Sequence, residues 1–214
     1  MTRMQIESAP RRKMLRNETV RQEIRESILD AVDRLLERNG YKRMKVEDIA
    51  LEVGIGKGTV YLHFSSKAEV ALAHIDRIVQ RLLVQLNEIA DSNAKPVAKL
   101  RAMLIARVLT RFDSVQHYPE SINDLLAELR ANLLARRENH FDDEAAVFAR
   151  VLDEGRQQKV FELKVPLATA QTLLLATNSL LPYSLSVKEL GDRKEIAAKV
   201  ERIADLLLEG LVRR

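Results

Sequence analysis

Residues 46–67 read Val46-Glu-Asp-Ile-Ala-Leu-Glu-Val-Gly54-Ile-Gly56-Lys57-Gly58-Thr59-Val60-Tyr61-Leu62-His63-Phe64-Ser65-Ser66-Lys67, and their order predicts two short helices around a tight turn. Val46, Ile49, Ala50 and Val53 recur at i, i+3, i+4 and i+7, the apolar stripe of a helix. Gly54 follows and supplies a left-handed position that a residue with a Cβ adopts only under strain. Ile55 returns one apolar anchor to the core. A second, very short helix is expected from about Lys57 to Phe64, with Val60 and Phe64 turned inward. Lys57, Thr59, Tyr61 and His63 are then left outside. Helix, glycine turn and helix make a helix-turn-helix, whose second helix enters the major groove of DNA. A solvated polar face that touches nothing is the plainer reading of those four side chains.

Around this stretch stand further signals: Gly40-Tyr41 before it, Ile49-Ala50 inside the first helix, Gly54-Ile55-Gly56-Lys57-Gly58-Thr59-Val60-Tyr61 across the turn, then Phe64 and Ser66-Lys67. Together they resemble the TetR family of bacterial transcriptional regulators over residues 20 to 75. Met44 and Lys45 depart from that pattern, standing where two threonines are usual, and Gly56 stands where a capping serine is usual. The resemblance implies DNA contacts at Lys45, Gly56, Lys57, Gly58, Thr59, Tyr61, His63 and Lys67, the last to a phosphate. It also implies a C-terminal domain that often encloses a small-molecule effector.

Composition agrees with an all-α protein. Gly and Pro number only 7 and 5 in 214 residues, and 46% of the chain is apolar, enough for a proper core. No cysteine occurs, which excludes disulfides, thiolate metal sites and cysteine nucleophiles. No run of about 18 apolar residues is present to span a bilayer. Residues 1–25 lack the hydrophobic segment of a secretory signal, so a cytoplasmic location is expected. The net charge of +4 is unevenly placed. Residues 1–67 carry 14 Lys and Arg against 10 Asp and Glu, whereas residues 68–214 carry 21 of each. The positive excess therefore accompanies the helix-turn-helix, where a polyanion would be met. Arg11, Arg12, Lys13 and Arg16 make a basic N-terminal arm, read as a phosphate or minor-groove contact or as a disordered tail.

About nine helices are expected in all. The first runs from Arg21 to Asn39 on the face of Ile24, Ile28, Ala31, Val32, Leu35 and Leu36, and Asn39-Gly40 stops it. Tyr41 packs beneath the three-helix unit. After the helix-turn-helix, Ser65 or Ser66 caps a long fourth helix that reaches Ala90, some 24 residues or about 36 Å. Pro96 opens a fifth helix to Phe112, and Pro119 and Ser121 announce another. From Ile122 to Lys159 the pattern is again helical, with a break expected near Asn139-His140. Residues 167–181 and 196–211 are apolar over more than one face, so each should be buried once on its own core and once on a partner. The domain boundary is placed at residue 67, giving a DNA-binding domain over 1–67 and an effector and dimerisation domain over 68–214.

Other chemistries find no support. A phosphate-binding loop requires a glycine five positions ahead of its Gly-Lys pair, where Leu51 stands, and Ser or Thr after the lysine, where Gly58 stands. His63, His74, His117 and His140 form no close pair on one helix face. His140-Phe-Asp-Asp-Glu144 reads better as a solvated helix end than as a cation site. No catalytic residue, metal or cofactor is expected. Phe112, Tyr118, Phe141, Phe148 and Tyr183 are the candidates to line an effector pocket, with ordinary core packing as each one's alternative. The expected function is a homodimeric repressor that binds a double-stranded operator and is released by a small hydrophobic effector. The rival is a DNA binder of the same fold governed by a protein partner.

Overall fold

The computed structural model describes residues 8–116, 119–182 and 191–212. Among these lie eight α-helices: α1 Ser8–Arg43, α2 Val46–Val53, α3 Lys57–His63, α4 Lys67–Ala90, α5 Pro96–Val115, α6 Pro119–Gln157, α7 Pro166–Thr177 and α8 Arg193–Glu209. A 3-10 turn, Asn178–Leu180, follows α7. No strand occurs among the described residues; Phe161 and Val212 make a single isolated bridge. The all-α expectation holds.

The chain divides into two compact units, Met1–His74 and Ile75–Arg214, and the division falls inside α4. The first unit is cored by Ile28, Leu29, Val32, Leu36, Ile49 and Val60, each 1% exposed or less. Its helix starts and stops follow local chemistry. Gly40 (φ 72°, ψ 164°) breaks the regular run of α1, where the sequence predicts a stop. Tyr41 is buried under the unit, as expected, at 2% exposure. Ser66 Oγ accepts the Glu69 N–H at 3.1 Å and caps α4.

Three boundaries differ from those expected. α1 is already helical at Ser8 instead of Arg21, so the basic segment 11–16 continues a helix. Residues 17–23 are exposed, so the apolar stripe that marks the inner face starts later than the helix does. α6 runs unbroken through Asn139-His140; neither residue is Gly or Pro, and His140 Nε2 lies 3.1 Å from Asp76 of α4. α7 ends at Thr177 and not at Leu181, tightening into the 3-10 turn.

In the second unit, α5 is the central element. Leu100, Met103, Leu104 and Val108 are fully buried in it. One apolar cluster gathers Leu82, Leu86, Phe148, Leu152, Phe161 and Leu174, and a second gathers Val108, Phe112, Leu181, Ile196 and Val200. Bidentate ion pairs hold α8 to α5 at two levels: Arg101 to Asp205 at 2.7 and 3.2 Å, and Arg193 to Asp113 at 2.7 and 2.9 Å. Asp192 caps α8, accepting the N–H groups of Lys194 at 2.7 Å and Glu195 at 3.0 Å.

Candidate nucleic-acid interface

The turn between α2 and α3 is closed by backbone hydrogen bonds. Ile55 N–H donates to the Ala50 carbonyl at 2.9 Å and Gly54 N–H to that of Leu51 at 3.2 Å, the paired bonds of a Schellman cap. Gly54 sits at φ 75°, ψ 32°, the left-handed conformation the sequence demands there. α3 is then anchored by Val60 at 0% and Phe64 at 3% exposure. Both inward assignments hold.

The opposite side of α3 presents Lys57, Gly58, Tyr61 and Leu62 to solvent, with Thr59 and His63 half-buried. Lys57 Nζ lies 5.8 Å from the Tyr61 ring centre and pairs closely with Glu47 of α2. That hydrogen bond holds the Glu47 carboxyl below its ordinary range and raises Lys57. Leu62, 74% exposed, was not among the expected contacts. Its place four residues after Gly58 was the available signal, since the two share a face.

The departures at Lys45 and Gly56 have visible consequences. Lys45 precedes α2 without a side-chain cap; the helix end is served instead by Asp48, whose Oδ2 accepts the Lys45 N–H at 3.0 Å. Gly56 precedes α3, also without a side-chain cap. Lys67 points inward. Its Nζ donates to the Tyr41 carbonyl at 3.0 Å and lies 4.2 Å from the Tyr41 ring centre, so it ties the start of α4 to the end of α1. At the far end of α3, the Arg25 guanidinium lies 5.0 Å from the Phe64 ring centre. His63 beside it is held below the ordinary histidine value, by partial burial first and then by Arg21 and Arg25.

A family model described as bacterial regulatory proteins, tetR family, matches residues 28–74, the segment that builds this helix-turn-helix. Residues 28–74 thus carry the DNA-binding domain of that family. A helix-turn-helix regulator of Lactococcus lactis is 34% identical over 110 residues, which cover 50% of this chain and 55% of that protein; the chain thus spans about half the length of that relative. The solved structure of a transcriptional regulator from Cytophaga hutchinsonii superposes with a TM-score of 0.74 at 19% identity, covering 88% of this chain and 98% of that one. The Bacillus subtilis regulator FadR, solved in complex with stearoyl-CoA, gives 0.66 at 17% identity, covering 86% and 98%. The relatives are regulators and not enzymes.

Among the described residues of the second unit, Phe112 lies apart from Phe141 and Phe148. Phe148, with Phe141 packed against it, belongs to one apolar cluster, and Phe112 to the other. Tyr118 and Tyr183 lie outside the described residues. A buried polar network engages residues that sequence reasoning passed over. Arg107, 1% exposed, donates to Glu144 Oε2 at 2.6 Å, to the Leu174 carbonyl at 3.1 Å, and to Thr177 Oγ1 and Asn178 Oδ1 at 2.8 Å each. Arg111 binds the other Glu144 oxygen. Burial alone would raise the Glu144 carboxyl, but Arg111 and Arg107 outweigh it and the net shift is downward. The signal for this network was an arginine interrupting the apolar stripe Leu100, Met103, Leu104, Val108 of α5. No described helix is long and apolar enough to cross a membrane, and no group of three or more metal-ligating side chains occurs among the described residues.

Proposed function

We propose that this regulator is a homodimeric, cytoplasmic repressor released from its operator by a small apolar effector. The observation that carries the DNA half is the outward face of α3: Lys57, Tyr61 and Leu62 stand exposed on a helix whose other side is locked by Val60 and Phe64. Tyrosine and lysine offer hydrogen bonds to base edges or phosphates, and leucine offers an apolar contact suited to a thymine methyl. The effector half is supported by the stearoyl-CoA bound to FadR. Its mechanical basis would be α4, which carries residues of both units and spans about 36 Å. In a dimer the paired recognition helices must keep a spacing of about 34–36 Å to enter successive major grooves. A ligand packed against Leu82, Leu83 or Leu86 would tilt α4 and spoil that spacing, with a coupling of about 1–3 kcal/mol.

The test is equilibrium binding to genomic duplex fragments, followed by footprinting of the best one and titration with stearoyl-CoA. Protection of a palindromic site that the acyl-CoA releases supports the whole proposal. Protection that no acyl-CoA relieves rejects that effector class. A partner-governed regulator without an effector is the second reading, favoured by the packing of Phe112 and Phe148 at 2% and 0% exposure within apolar clusters.

A further inference from the structure

We propose that Glu47 and Lys57 act together as one specificity element that selects a G·C base pair, the ammonium donating to guanine and the carboxylate accepting from the paired cytosine. That role rests on the DNA-binding reading of α3 and extends it to α2.

The first turn of α2 carries two acids, Glu47 and Asp48, and they are employed differently. Asp48 Oδ2 accepts the Lys45 N–H at 3.0 Å and closes the helix end. Glu47 reaches across to α3 and accepts a hydrogen bond from Lys57 Nζ. Lys57 opens α3, and its Nζ lies 5.8 Å from the ring centre of Tyr61, one turn on. The ammonium is thus held between a carboxylate of α2 and an aromatic ring of its own helix. About half of each side chain stays in water, 57% for Glu47 and 49% for Lys57. An ion pair so exposed adds little to folding; the buried Ile49 and Val60 serve the union of α2 with α3 better. On a face that meets a polyanion, a carboxylate beside the leading lysine also weakens binding, because it cancels charge that would displace counterions. What it can supply is discrimination.

A lysine ammonium only donates hydrogen bonds, and an ionised carboxylate only accepts them. Glu47 stays ionised at neutral pH, since the hydrogen bond from Lys57 holds its carboxyl below the ordinary range. In the major groove guanine offers N7 and O6 as acceptors, and cytosine offers its N4 amino group as a donor. With the ammonium over the guanine, both members of the pair are matched at once. An A·T pair in the same place sets the ammonium beside the adenine amino group and the carboxylate against thymine O4. A C·G pair reverses both contacts. T·A is the nearest competitor, matching each group once but giving the ammonium one acceptor where guanine gives two. Two side chains held together across α2 and α3 therefore read both bases of one pair, which neither could do alone.

Selection of binding sites from a randomised duplex library, read by sequencing, tests the assignment on the full chain. The wild type should enrich a G·C position by about tenfold or more over A·T. Glu47→Ala and Lys57→Ala should each relax that same position and leave the others unchanged. Glu47→Gln should shift it toward A·T, because glutamine both donates and accepts and pairs with adenine N6 and N7. Thermal melts accompany the series; if an alanine variant melts early, Glu47→Gln decides, since it keeps the size of the side chain. Identical base preferences in the wild type and Glu47→Gln, or alanine variants that relax different positions, overturn the shared element while leaving the DNA reading intact. A folded wild type that enriches no sequence at all overturns both.

Discussion

At the residue scale, three positions around α3 and its turn respond to substitution in three different ways. Gly54 has open space around an added Cβ, so only its φ of 75° opposes substitution. Gly54→Ala should therefore cost about 1–2 kcal/mol, read as a lower urea midpoint with an unchanged m-value. Gly56 offers the opposite case: its φ of −70° is ordinary, and an added Cβ meets only Thr59 Oγ1 at 3.9 Å. Gly56→Ser should supply the missing cap and stabilise the protein by a few tenths of a kcal/mol. Glu47 is the third. Its carboxylate pairs with Lys57 and would repel an approaching phosphate, so Glu47→Gln should tighten DNA binding several-fold at low salt, an effect that shrinks as salt screens it. Equal affinity for the two proteins across a salt titration would show that Lys57 does not face DNA.

At the element scale, α5, α6 and α7 are joined by a buried ionic group whose contribution depends on pH. Glu144 is 1% exposed and its folded pKa lies below 4.5 because Arg111 and Arg107 outweigh the effect of burial. A carboxyl depressed in the folded state adds stability that is complete above the unfolded value and is lost as pH falls through the folded one. The wild-type protein should accordingly weaken in acid below about pH 4.5. Glu144→Gln should lose about 3–5 kcal/mol at pH 7, because it leaves Arg107 buried without its anion. Its stability should then fall less steeply in acid. Urea melts of both proteins at pH 7 and pH 4 make the comparison; parallel losses would show that Glu144 is not the group that titrates.

At the scale of the whole molecule, α7 carries no charged residue, yet Leu167 and Leu175 are 47% and 60% exposed, and Leu206 of α8 is 65% exposed. Leucines left in water on two helices of one unit are what an isologous interface would cover, typically burying about 2,000 Å² or more in an obligate dimer. Leu175→Glu places a charge where the single chain has room for it, so the fold should survive while the dimer separates. Sedimentation at micromolar concentration should show the wild type as a dimer and the variant as a monomer. A wild-type monomer would dismiss the interface.

The sequence by itself determined the all-α class, the helix-turn-helix with its glycine turn, the buried Val60 and Phe64, and a serine cap at the start of α4. Each of these rests on near neighbours, because periodicity, turn chemistry and capping act within a few residues. Only the tertiary structure decided that Lys67 is drawn inward to Tyr41, 26 residues away, and that Lys57 pairs with Glu47. It alone separated Phe112 from Phe148 and joined Arg107, Glu144, Thr177 and Asn178 across 71 positions of chain. A charged side chain carries no periodic signature of its partner; which residue neutralises it depends on which helices the packing brings together.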